Sequence, residues 1–450
     1  MRSRVAVIGG GLAGTAAALR LADAGLAVTL LESRSRLGGV AGSFRRGELD
    51  VDTGQHVFLR CCTAYRGFVE RLGATGDLTL QERLDVPVLS PTGRTARLRR
   101  SALPAPLHLA GALLRYRHLP LRSRLGPARA ALALGRVDRA TADDRSFGDW
   151  LAAHGQDDRA VDVLWDVVGI ATLNARAGDA SLALAATVFQ LGLLADTAAG
   201  DIGWATAPLG ALHDTAARRA LAAAGVEVRR SAKVRALVQD GTRWRVPLGS
   251  SEREEELVVD RIVCAVPPGA AARLLPPGAV TRDIAALGST PIVNVHVVYD
   301  RTVLREPFAA GVDSPVQWVF DRTAPSGAAA VYGPRAQYLA ISLSAADDLV
   351  GVPAQRLLDR FLPALADLLP AARGAGVLDA FVTREPHATF RGAPGQAALR
   401  PGPRTALPGL YLAGAWTDTG WPATMEGAVR SGDSAAEAVL TERVPAGVAA

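Results

Sequence analysis

The sequence predicts an α/β fold of three interleaved parts: a parallel sheet drawn from both ends and the middle of the chain, an α+β region, and a helical cap. Three observations predict it. "RVAVIGGGLAGTAAALRLADAGLAVTLLES", from Arg4 onward, runs strand, glycine turn, small-residue helix, strand. Near the other end, "GLYLAGAWTDTGWPATMEGAVRSGDSAAEAVL" repeats the order strand, glycine, helix. Between them lie a long apolar helical stretch and then segments of alternating polarity. At 450 residues the chain exceeds what one core organises. Internal repeats and low-complexity linkers are missing, so the parts interleave rather than follow one another.

The first element is a strand at Val5–Ile8, followed by a helix from Thr15 to Ala24 and a strand at Ala27–Leu31. Gly9, Gly11 and Gly14 between strand and helix match GxGxxG. The first permits a tight turn, the second lets backbone approach a pyrophosphate, and the third lets helix pack on strand. Glu32 ends the second strand, where a carboxylate accepts both hydroxyls of an adenosine ribose. This is a Rossmann-like dinucleotide site, with Gly9, Gly11, Leu12, Ala13, Gly14, Glu32 and Ser33 as candidate cofactor contacts.

The following residues, "ESRSRLGGVAGS", place Arg36, Gly38 and Gly39 directly after the acid. NAD-dependent dehydrogenases have no need of a second glycine pair there. The segment resembles the FAD signature of the amine oxidase and carotenoid desaturase superfamily, which implies FAD and a glutathione-reductase-type domain. "LDVDTGQHVF" reads as a strand-turn about Gly54, a region that lies close to the flavin ring in that superfamily. His56 is then either a general acid near a leaving group or a histidine bonded to backbone at a domain crossing.

From Ser101 to Leu194 the pattern is helical, with Ser146 as an N-cap and Gly155 as a stop. Asp162, Asp166 and Asn174 interrupt an apolar stretch: they either orient a polar group on a greasy substrate or sit on exposed faces. The net charge is +6, almost all of the basic charge is arginine, and no nucleic-acid partner is expected. Its distribution says more. Val86 to Val137 contains no Asp or Glu, while arginines from Arg94 to Arg136 interleave with leucine-rich pieces. Such a segment is either a peripheral membrane contact, through residues 94–136, or a cap with a solvated arginine face. No apolar run is long enough to span a bilayer, and the N-terminus is not a signal peptide. A cytoplasmic protein, peripheral at the inner face of the cell membrane, is expected. The three cysteines show no metal-binding or CxxC spacing.

Strands are expected at 226–230, 234–238, 244–246, 289–299 and 336–343, with an amphipathic helix in "PAQRLLDRFLPALADLLP". In the superfamily the backbone at the position of Val234 holds the adenine. The C-terminal strand, Leu410–Ala413, stops at Gly414, and a helix begins near Thr424. Free N–H groups at its start can stabilise negative charge on the pyrimidine side of a reduced flavin, so Gly414, Ala415, Thr424, Met425 and Ala428 join the candidate cofactor contacts. Trp416 and Trp421 read either as a flavin-facing wall or as core.

Together "GGGLAG…LLESRSRLGG", "DTGQHVFL" and "AGAWTDTGWPATMEGAVRSG" resemble the hydroxysqualene dehydroxylases of hopanoid biosynthesis. The resemblance implies non-covalent FAD, an apolar isoprenoid substrate, contact with squalene-pathway enzymes, and reductive removal of an allylic hydroxyl. A carotenoid desaturase and a membrane-associated flavoprotein scaffold without turnover are the alternatives. One departure is Ala415, where the family carries a carboxylate. Its loss removes a charge-assisted contact of about 1.5–3 kcal/mol. The expected organisation is an FAD domain of 1–85, 205–275 and 400–445, a cap of 86–204, and a substrate domain of 276–399.

Overall fold

The computed structural model describes residues 3–249 and 255–442; residues 1–2, 250–254 and 443–445 of the expected FAD domain lie outside them. One sheet is entirely parallel, in the order Glu227–Arg229, Ala27–Leu31, Arg4–Ile8, Arg261–Cys264, Leu410–Leu412. Its central strands are buried on both faces, which explains their unbroken apolar runs. The first helix spans Leu12–Asp23, three residues earlier than the sequence predicts, because extended backbone at Gly11 caps it directly. The C-terminal helix, Met425–Thr441, crosses it at Gly432, where a Cβ would lie 2.2 Å from the carbonyl oxygen of Ala13. The two chain ends meet there, backbone on backbone.

A second sheet has seven strands in the order Val377–Thr389, Thr290–Tyr299, Gln337–Leu343, Trp318–Asp321, Phe308–Gly311, Asp85–Leu89, Thr95–Arg99. Val293, Val295 and Val297 point from one face onto Leu357, Phe361 and Leu365 of the helix Ala354–Leu368, forming a closed core. The opposite face carries Asn294, His296, Trp318, Phe320 and Ser342. The cap therefore begins later than residue 86. Val86, Val88, Ala96 and Leu98 alternate inward with period two and extend this sheet, which a helical reading of the segment overlooks.

The expected strand at 234–238 is replaced by a single bridge, Val234 to Leu248, and a strand at Val238–Asp240. Arg235 N donates to the carbonyl of Pro247, and proline has no N–H with which to return the bond, so the ladder breaks. In the cap, Ser146 accepts from Asp149 N and starts the helix Phe147–Ala153, and Gly155 adopts φ 72° just beyond it. The helix Leu182–Phe189 is buried on all sides.

Candidate functional site

The glycine turn is shaped by close approach. Gly9 takes φ 107°, and a Cβ there would stand 2.6 Å from Ala265 O. At Gly14 a Cβ would stand 1.9 Å from Gly9 O, so helix and strand touch through hydrogen alone. At Gly11 a Cβ would meet nothing within 4 Å. The helix starting there has no side-chain cap and no acid in its first turn. An uncapped helix start facing open space is a diphosphate cradle. From the other side Gly39 closes in, its added Cβ 3.3 Å from Gly11 Cα, while Gly38 N donates to Gly10 O at 2.8 Å.

Glu32 is buried and accepts from Gly10 N and Arg34 N, both at 2.7 Å, and from Ser33 Oγ at 3.2 Å. Oε1 takes the last two bonds and Oε2 only the one from Gly10 N, so Oε2 keeps a lone pair for a ribose hydroxyl. Val234 follows directly on the backbone bonds that join Ser231 and Ala232 to Arg34 and Glu32. Leu12 and Ala13 form the first turn of the helix, and Arg36 Nη1 lies over the glycine loop, donating to Gly39 O at 3.2 Å. These residues are grouped around the glycine turn and Glu32, an arrangement that fits the diphosphate and adenosine of FAD.

At the far end, Gly414 takes φ 136° and its N–H donates to Ser431 Oγ at 2.8 Å. Thr424 caps the C-terminal helix by accepting from Gly427 N at 3.1 Å, which leaves Met425 N free of intrahelical partners; Ala428 N bonds back to Thr424 O. The carbonyl of Ala415 accepts from Arg400 at 3.3 Å. Arg400 is buried and also donates to the carbonyls of Thr417 at 2.6 Å and Trp421 at 2.9 Å. It fixes the loop that delivers the helix start. Glu426, buried in the first turn, accepts from Ala64 N and Tyr65 N and pairs with Arg430. Sequence reading missed both Arg400 and Glu426.

The glycine pair is held from below. His213 Nδ1 bonds Ala41 O at 2.6 Å and its Nε2 meets Tyr65 OH at 3.0 Å, while Asp214 accepts from Leu37 N. His56 Nδ1 bonds Gly54 O at 3.0 Å, and burial lowers its pKa. A proton donor at neutral pH requires the opposite shift, so of the two readings of His56 the backbone-bonded one fits the geometry.

The sheet face turned away from the helix Ala354–Leu368 carries an aromatic wall that sequence reading also missed. Trp204 lies 5.6 Å from Phe308, which lies 6.0 Å from Trp318 and 6.1 Å from Phe320. Trp204 pairs with Val57, so the wall abuts the His56 turn. The alternation in "WVF" was the available signal. Trp416 and Trp421 are taken up in packing: Trp416 donates to Val266 O at 3.0 Å, and Trp421 lies under Arg430.

Asn174 ends the helix Asp166–Leu173 with φ 50° and spends its amide on Thr290 O, Thr389 Oγ1 and Ala345 N. Its role is structural. Asp162 is exposed; Asp166 is buried, accepts from Ala177 N at 3.0 Å, and is pushed up to about 6 by burial. Both border a cavity of about 330 Å³ that Trp318 also lines.

Buried histidines make the fold acid-sensitive. Burial lowers His213 to about 4 and His296 to about 3. Both values lie below the ordinary 6.5, so on acidification the unfolded chain takes up protons first. Their contribution is complete above about pH 6.5 and is lost progressively down to about 4 and 3, at roughly 1.4 kcal/mol per unit. Asp166, shifted upward, acts with the opposite sign between 3.8 and about 6. The urea midpoint is expected to fall between pH 7 and 5, and His296→Gln is expected to flatten that slope. Parallel profiles for variant and parent would refute the assignment.

A five-stranded parallel sheet carrying a dinucleotide cradle beside an aromatic-walled sheet defines a flavin-dependent oxidoreductase. The chain belongs to the flavin containing amine oxidoreductase family, whose model matches residues 12–440. It is similar to hydroxysqualene dehydroxylase of Rhodopseudomonas palustris, at 32% identity over 98% of this chain and 99% of that one. It is also similar to zeta-carotene desaturase of Zea mays, at 26% identity over 95% and 82%. A redesigned putrescine oxidase superposes with a TM-score of 0.71 at 20% identity, over 98% and 99%, which establishes the fold. The protein is an FAD-dependent oxidoreductase.

Proposed function

We propose that the protein removes the hydroxyl of hydroxysqualene to give squalene. The observation that carries this is the aromatic wall of Trp204, Phe308, Trp318 and Phe320, which abuts the turn at His56. Similarity to hydroxysqualene dehydroxylase supports the choice of substrate. When bound and reduced, FAD supplies the hydride that replaces the departing hydroxyl, which leaves as water after taking up a proton. The aromatic faces shed water from an isoprenoid chain and favour positive charge at the allylic carbon. Asn294, His296 and Tyr338 share this face. His296 Nδ1 bonds Tyr338 OH at 2.8 Å and its Nε2 bonds Thr383 Oγ1 at 2.9 Å, so the ring is held in place. With its pKa depressed by burial, His296 stays neutral and adds no competing cation.

The test is to photoreduce the holoprotein without oxygen and add hydroxysqualene. Return of the oxidised-flavin band with one squalene per flavin is the expected result. Similarity to a zeta-carotene desaturase favours a second reading, in which hydride runs from C–H to flavin. Bleaching of oxidised flavin by zeta-carotene, with no response to hydroxysqualene, would establish that reading instead. Silence towards both would leave a flavoprotein scaffold without turnover.

A further inference from the structure

The cap carries a surface that the chemistry above does not use. Leu103, Leu107, Leu114, Leu121, Leu125 and Leu132 are each 50–79% exposed. Elsewhere among the described residues no large apolar side chain exceeds 47%. Six such side chains within thirty residues concentrate exposed apolar surface on one segment, and such concentrations, unlike scattered leucines, mark contact surfaces. The core does not require them. The same segment is anchored from beneath by Tyr116, His118, Leu119, Ala130 and Leu134, all at most 2% exposed. Tyr116 OH donates to Val163 O, His118 Nε2 bonds Val88 O at 3.1 Å, and Gln190 grips the carbonyls of Leu134 and Val137. Short helices, Ala110–Leu114, Leu121–Ser123 and Gly126–Leu134, therefore present one face inward and one outward.

The exposed charge of this segment has one sign. Arg115, Arg117, Arg122, Arg129 and Arg136 are exposed and have no ion-pair partner among the described residues. Arg97, Arg99 and Arg100, in the same basic stretch, differ. The first two pair with Asp85 on the neighbouring strand and the third with buried Asp201, so they belong to the sheet. No acid interrupts the segment before Asp138. Among the described residues no helix is long and apolar enough to cross a membrane. Leucines that enter an acyl boundary, set among free guanidinium groups at headgroup level, complement an anionic bilayer surface and lie in its plane.

We infer that residues 103–136 dock the cap onto an anionic lipid bilayer, with Leu121 and its neighbouring leucines inserted and the five unpaired arginines on the phosphates. The surface serves an enzyme whose substrate dissolves in lipid, but it does not depend on which isoprenoid is turned over.

Flotation of the FAD-loaded full chain with two vesicle types tests it: phosphatidylcholine alone, and phosphatidylcholine with about a third phosphatidylglycerol. Recovery is expected mainly with the anionic vesicles and to fall steeply with added salt. Leu121→Ser with Leu125→Ser should lower binding to anionic vesicles about tenfold. Arg115→Gln, Arg117→Gln, Arg122→Gln and Arg129→Gln together should abolish the preference for phosphatidylglycerol, while Arg97→Gln should not. Flavin content and melting temperature, unchanged in the leucine variant, establish that the fold is intact. Equal flotation of parent and leucine variant would overturn the proposal. So would a leucine-dependent dimer in light scattering without vesicle binding, which would assign the patch to a second copy of the chain.

Discussion

Replacing Arg322 with methionine is expected to cost about 3–5 kcal/mol and most of the bound flavin. Arg322 follows the strand Trp318–Asp321 of the aromatic-walled sheet and is buried. Its Nη2 lies 2.6 Å from Asp52 Oδ2, and its Nη1 donates to Ala205 O at 3.1 Å. The other oxygen of Asp52 accepts from Ser43 Oγ at 2.6 Å and Leu209 N at 3.0 Å, and Ser43 Oγ in turn accepts from Gly210 N. One ion pair thus ties the seven-stranded sheet to the strand pair Ser43–Arg46 and Leu49–Asp52 that follows Gly38 and Gly39. Methionine fills the volume but leaves a carboxylate in the interior with no cation, and the uncompensated charge dominates the cost. That mechanism makes a sharper prediction than lost stability alone. Asp52→Asn together with Arg322→Met removes the stranded charge while keeping an acceptor for Leu209 N, and is expected to recover at least about half of the loss. Urea unfolding of the parent and these two variants decides the matter, since equal midpoints for the single and the double variant would mean that packing, not charge, sets the cost. Flavin absorbance per protein should follow the same order.

The contrast between legible and hidden features follows from range in sequence. The glycine turn, Glu32 and the second glycine pair lie within some thirty residues, so one local pattern specifies strand, turn, helix and ribose acid at once. The start of the C-terminal helix was legible for the same reason: Thr424 is a good cap and Gly427 sits where its bond lands. The aromatic wall was not, because Trp204, Phe308, Trp318 and Phe320 come from three separate strands of two sheets and meet only in the tertiary fold. Asp52 and Arg322 are 270 positions apart, and nothing near either one signals a buried pair. Asn174 misled in the opposite direction. A polar residue in an apolar stretch suggests a substrate contact, yet its left-handed backbone and three hydrogen bonds show a helix terminator. The basic stretch held two different structures under one composition, because period-two alternation at 95–99 assigns Arg97 and Arg99 to a strand edge beside Asp85.

Gly11 and Gly14 separate the fold from the cofactor site, three residues apart. Gly14→Val places a branched side chain where a Cβ alone would stand 1.9 Å from a backbone oxygen. Neither strand nor helix can yield without opening the sheet, so the expected cost is at the upper end of overpacking, about 3 kcal/mol or more, with flavin lost as well. Gly11→Ala is expected to behave differently. Gly11 has φ −73°, which alanine adopts freely, and its added methyl meets no protein atom within 4 Å. Restricting the unfolded chain should hold the apoprotein's stability level or raise it by about 0.4–1 kcal/mol. The methyl nevertheless occupies the space above an uncapped helix start, where the diphosphate of FAD is expected to approach the backbone. FAD affinity should therefore fall by about tenfold to a hundredfold, roughly 1.4–2.8 kcal/mol, while the apoprotein melts as before. Fluorescence titration of apoprotein with FAD, paired with thermal melts, reads the two quantities separately. A Gly11→Ala protein that binds FAD as tightly as its parent would place the diphosphate elsewhere, and the open space at Gly11 would then be a property of the turn alone.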